Sequence, residues 1–130
     1  MNLKISKYAL ICTSIIALIY HFLIITQVIG YVNVWGGQLQ SIEQMYVFEI
    51  FSIAVQTILL VMIIRFDLEK VKRKNFWKYF FLTFTLLMLL NTVGNIFAKS
   101  NIERYLFTVI TLLNSGLFYN YFRKISDLKE

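Results

Sequence analysis

Glu49, Ser52 and Gln56 recur at intervals of three and four inside an otherwise apolar run, "EIFSIAVQTILLVMII". On a helix that spacing puts all three on one face. A carboxylate in such a run is costly unless it is paired or protonated, so it marks a proton or cation site, or half of a buried ion pair. Two other segments carry groups able to meet it: "IYHF", with His21 in the first apolar run, and "IERYLF", with Arg104 at the start of the last. His21 and Arg104 are the candidate partners of Glu49. "NTVGNIFAKS" adds Asn91 and Asn95 on one face, with Gly94 and Ala98 beside them. Amides at such positions either tie helices together, at about 1 kcal/mol each, or contact a ligand. Trp35 stands apart, in "YVNVWGGQL", and offers one N–H donor on an apolar body.

The elements that must position these groups follow from composition. In 130 residues the hydrophobic fraction is 58%, too high for a soluble core wrapped in polar surface. Crossing about 30 Å of hydrocarbon takes about 20 apolar residues in a helix. Charge-poor runs of about that length cover roughly residues 8–29, 46–64, 76–97 and 105–122. The expected fold is therefore an all-α, four-transmembrane-helix bundle forming one integral membrane domain. There is no proline, which removes the commonest cause of a sharp kink. The basic N-terminus does not read as a cleavable signal, because the apolar run behind it is too long and no small-x-small site closes it.

Lys and Arg set the orientation. Lys4 and Lys7, the connection "RFDLEKVKRKNFWK", and Arg123, Lys124 and Lys129 belong on the cytoplasmic side. The first-to-second connection has Glu43 and no cation, and the third-to-fourth has Lys99 and Arg104 beside Glu103. Both face outward, so both termini lie inside, in the cytoplasmic membrane. His21, Glu49, Asn91, Asn95 and Arg104 then all fall in the outer half. Only Ile50 to Ile64 follow Glu49 before the inner boundary, about 22 Å at about 1.5 Å per residue. That places Glu49 at or inside the outer edge of the hydrocarbon. The cluster of His21, Trp35, Glu49, Gln56, Asn91, Asn95 and Arg104 is the candidate ligand-binding site.

The glycines of "WGG" permit close approach and backbone conformations closed to other residues. The stretch reads either as a cap folded over the outer mouth of the bundle or as an interfacial loop anchored by its Trp. The cluster "EKVKRK" either sets topology alone or also attracts anionic headgroups, at about 1 kcal/mol per cation. With no folded module around it, nucleic acid is not an expected partner.

Other chemistry is excluded by residue type. The single cysteine, Cys12, rules out an intramolecular disulfide, a dithiol relay and a cysteine-based metal site. The single histidine, His21, reads as a hydrogen-bonded core residue rather than a metal ligand. There is no Ser/His/Asp set, acid pair for glycoside chemistry or phosphate-binding Gly loop. The sequence therefore calls for no enzyme activity, cofactor or metal.

"VWGGQLQSIEQMYVFE" and "NTVGNIFAKSNIER" together resemble a family of small uncharacterised bacterial integral membrane proteins with four predicted spans. The matching positions are Trp35, Gly36 and Gly37, then Asn91, Gly94, Asn95, Ser100, Glu103 and Arg104, and the resemblance covers most of the chain. Family members carry prolines after the Gly-Gly pair and early in the fourth span, where this chain has none. The resemblance implies the four-span fold and brings no activity with it.

The expected function is thus that of a multi-pass binding or accessory protein with an outward-facing polar pocket. The bilayer is its first partner, and a small ligand, a lipid, another membrane protein or a second copy of the chain its next. The alternative is a small proton- or cation-coupled transporter using Glu49. Four-span exporters of this size work through an acid in the middle of their first span, whereas the first span of this chain has His21 and no acid. A topology reporter fused at Asp127 is expected to read cytoplasmic; a periplasmic signal there would overturn the orientation.

Overall fold

The structure, a computed structural model, describes residues 2–128, and within them it is all-helical. Four long helices, α1 (Leu3–Ile25), α2 (Ile42–Arg65), α3 (Lys74–Ile96) and α4 (Thr108–Ser126), are joined by short turns. Three of them, α1, α2 and α3, are long and apolar enough to cross a membrane. A π-helical run, Ile102–Phe107, leads into α4.

Helix ends follow local chemistry. Asn2 accepts from the backbone N–H of Lys4, which starts α1 a turn before the charge-free run begins. At its other end α1 stops at Ile25, short of the apolar stretch that continues to Ile29, because Gln27 turns to φ +60°. The Gln27 amide then donates to the Tyr46 hydroxyl and ties the turn to α2. Ser41 caps α2 by accepting from Gln44 N–H, while the Gln44 side chain accepts from Gln40 N–H, a close relative of the capping box. At the far end of α2, Lys7 of α1 donates to the carbonyls of Ile64 and Phe66 at 2.8 and 2.9 Å. A cation there meets the unpaired carbonyls and the negative end of the helix dipole together.

The helices form two hairpins, α1 with α2 and α3 with α4, which meet along a thinner seam between α1 and α4. The main core lies at the end holding the termini. There Phe66 packs edge-on against Trp77, Phe81 and Tyr121, with Leu10, Leu59 and Phe118 around them. Small polar side chains line the seams. Thr13 meets Asn114 at 2.8 Å across α1 and α4, Thr92 meets Thr111 at 2.9 Å across α3 and α4, and Ser115 donates to the Thr85 carbonyl. The threonines also bond back to their own preceding turns, so their hydroxyls are satisfied without water.

The outward faces are apolar: Ile19, Phe51, Ile58, Leu90, Val109 and Leu112 are all exposed. A continuous apolar exterior around a partly polar interior suits a lipid solvent. Phe66→Ala should open a cavity at the junction of all four helices and lower stability by about 3 kcal/mol. Thermal unfolding in detergent checks this, and a change within error would mean the four helices do not share one core.

Candidate functional site

The opposite end of the bundle holds the two buried acids. Glu49 lies two turns inside α2 and is completely buried. Its two oxygens take one donor each. Oε1 accepts from the Trp35 indole N–H at 2.6 Å, and Oε2 lies 2.7 Å from His21 Nδ1. His21 comes from the last two turns of α1 and keeps about a fifth of its side chain exposed. Charge-assisted bonds of this length are the strong ones, and they occupy both oxygens of a carboxylate that has no water to turn to.

A second buried acid, Glu103, lies at the start of the π-helical run and is 7% exposed. It grips the backbone of the same turn: Oε1 accepts from Trp35 N–H at 2.8 Å and Oε2 from Gly36 N–H at 3.1 Å. Two successive N–H groups aimed at one anion form a nest. The nest exists because Trp35, Gly36 and Gly37 all adopt positive φ, +54°, +67° and +71°. For Gly this conformation is free, whereas for Trp it costs about 1–2 kcal/mol. Hydrogen bonds to a charged group contribute about 1.5–3 kcal/mol each, so two of them outweigh the strain on Trp35.

The Trp-Gly-Gly turn is therefore a strap held from two sides, its indole by Glu49 and its backbone by Glu103. Val34, fully buried among Ile24 and Met45, pins the strap to the bundle end. Lys99 lies over Gly37 so closely that an added methyl group would stand 2.6 Å from its Cδ. Phe48 packs edge-on against the Trp35 ring.

Of the residues read from the sequence, His21, Trp35 and Glu49 come together. Gln56 lies a further two turns along α2, half-buried and with no side-chain hydrogen bond among the described residues. Asn95 reaches only Thr111, at 3.5 Å, and Asn91 is exposed. The polar member of that stretch at the interface is Thr92. Arg104 is exposed and makes no ion pair among the described residues. His21, the other candidate, is the partner of Glu49.

The displacement of Arg104 has a geometric cause. Counting back from Thr111 in α-helical steps of seven puts residue 104 on the inner face. The π-helical run inserts one residue into that count, so Glu103 takes the inward position. Glu103 is the functional residue missing from the sequence-derived cluster. Its carriage within the Ser-x-x-Glu-Arg pattern was visible, but nothing in the composition signals a π-helical register.

Two polar groups at this site find no partner among the described residues. The Tyr20 hydroxyl is buried without a hydrogen bond, its ring packed 4.5 Å from that of Phe107. His21 makes no bond through Nε2. No group of three or more His, Cys, Asp and Glu side chains able to hold a metal occurs among the described residues. The site can thus hold a proton between Glu49 and His21 and offer hydrogen bonds to a polar group placed beside them. Comparison with protein families, with curated proteins and with solved structures returned no match.

Gly36→Ala meets no obstruction nearer than 3.9 Å, so its cost is the left-handed backbone alone, about 1 kcal/mol. Glu103→Ala leaves two N–H groups unmet and should cost about 3 kcal/mol. Because both act on one turn, the double variant should lose less than the sum. Strictly additive losses in thermal unfolding would show that Glu103 does not hold the strap.

Proposed function

We propose that the protein is a four-span binding or accessory protein of the cytoplasmic membrane, with both termini inside and a polar ligand site at its outer end beneath the Trp-Gly-Gly strap. One observation carries the reading: a fully buried Glu49 is joined to a partly exposed His21, while His21 Nε2 and the Tyr20 hydroxyl keep unused hydrogen-bonding capacity. A small polar ligand, or a polar group of a membrane partner, would bond to His21 Nε2, the accessible one of the two, with Trp35 as its apolar wall. Glu49 fixes the imidazole by holding Nδ1, the role a carboxylate plays behind a liganding histidine. The same geometry gives His21 no third residue to activate, which favours binding over catalysis.

Crossing by α4 is supported by its outward face, where Tyr105, Val109, Leu112 and Leu113 are exposed. Its polar residues Thr111, Asn114 and Ser115 are buried against α3 and α1. Helix and π-helical run together exceed about 30 Å, the thickness of the hydrocarbon. The resemblance to small bacterial four-span proteins points the same way.

A proton-coupled transporter is the second reading, favoured by the 2.7 Å contact between His21 and Glu49. Through it a proton arriving at the exposed side of the ring can reach a carboxylate closed to solvent. Glu49→Gln separates the readings. Native mass spectrometry in lipid nanodiscs should show a bound small molecule or partner that the variant loses, with no proton flux from proteoliposomes of either protein. Flux in the wild type that vanishes in Glu49→Gln would instead establish the transporter. A variant that only melts earlier, with no bound mass and no flux in the wild type, would sink both and leave the carboxylates a structural lock.

A further inference from the structure

The end of the bundle that holds the termini has the opposite electrostatics. A surface cavity of about 610 Å³ opens there, lined by Val71, Lys72, Arg73, Lys74, Phe76 and Leu128, with Asn75. Three consecutive cations face one hollow. The same hollow contains the first turn of α3, whose N-cap residue, Arg73, makes no side-chain capping bond, and that turn has no acidic residue. Unpaired N–H groups and the helix dipole already make a helix start positive. A stable chain ordinarily puts an acid there, as α2 does with Glu43. At α3 the chain adds positive charge instead.

Among the described residues little offsets it. Asp67 is engaged by Lys70 at 3.4 Å and by Glu69 N–H. Glu69 and Asp127 are exposed and form no ion pair among the described residues. Lys74 is turned onto the Leu128 carbonyl, which fixes one wall of the hollow. Lys72 and Arg73 are exposed and form no ion pair among the described residues. Val71 and Phe76 supply apolar lining to the hollow, and Phe76 is half-exposed.

We propose that this hollow is a binding site for a phosphate-bearing anion, and that in the membrane its occupant is the headgroup of an anionic phospholipid. Lys72 and Arg73 supply the charge, the free N–H groups at the start of α3 supply directed donors, and Phe76 and Val71 meet the first part of the acyl chains. The site is independent of the outer carboxylates and rests only on the chain lying in a membrane.

The test is native mass spectrometry of the full-length protein in detergent, titrated with phosphatidylglycerol or phosphatidylcholine at equal concentration. Preferential retention of the anionic lipid, weakened by inorganic phosphate, is the expected result. The Lys72→Gln/Arg73→Gln variant should lose roughly fivefold in retention per cation removed. Arg123→Gln/Lys124→Gln, which removes two cations from the last turn of α4 outside the hollow, should leave retention unchanged. Equal retention of the two lipids by the wild type overturns the proposal without reference to any variant. An equal loss in both double variants also overturns it, since the end would then attract lipid by diffuse charge. Binding of inorganic phosphate without preference for the anionic lipid would also overturn it, because the proposed occupant is the lipid headgroup.

Discussion

A carboxylate sealed inside an apolar bundle is the constraint on which the strap end of this protein depends. Glu49 has no exposed surface, and an ionised acid there costs several kcal/mol unless its oxygens are met. The chain meets them from two directions, with His21 from the end of α1 and Trp35 from the connection that follows. Satisfying one side chain therefore fixes the position of α1 against α2 and draws a loop inward over the bundle end. The strap is folded because an acid needs its indole.

That solution creates a second demand. For the indole to reach Glu49, Trp35 adopts a backbone conformation unfavourable to it, and its N–H and that of Gly36 point away from any helix. Glu103 answers both N–H groups, and it can do so because the π-helical run turns it inward. The irregularity at the start of α4 and the irregularity after α1 thus compensate each other. Neither has a local explanation, and each accounts for the other. The coupling joins the two hairpins at the end away from the termini, where α2 and α4 share few other contacts, through a single turn of backbone.

How much of this was legible in the sequence follows from the same chemistry. The four helices were readable because bilayer thickness and charge-poor runs are one-dimensional quantities. Glu49 was readable because an acid in an apolar run is conspicuous, and the spacing of the glycines marked the turn. Asn91 and Arg104 were misplaced because assigning a face requires a phase. The phase of α3 shows in Thr92, whose hydroxyl bonds to Thr111 across the interface, and in Thr85, buried with its backbone carbonyl accepting from Ser115; both look unremarkable in the sequence. The phase of α4 is shifted by a π-helical insertion that no composition rule announces. A methyl group at Gly94 or at Gly116 would meet nothing within 4 Å. These glycines do not mediate close helix approach, and the seams rely on hydroxyls and Asn114 instead.

The two ends of the bundle solve opposite electrostatic problems, which bears on how the protein sits in its bilayer. At the strap end the two buried charges, Glu49 and Glu103, are anionic and answered from within the chain, while Lys99 and Arg104 stand exposed around them. At the terminal end Lys7 is spent on the carbonyls of α2 and Lys74 on the carbonyl of Leu128. Lys72 and Arg73 are left facing a hollow at a helix start that is already positive. Cations left unanswered where a helix start is already positive are what the proposed site offers to something outside the chain. In a membrane the nearest thing outside is a phosphate.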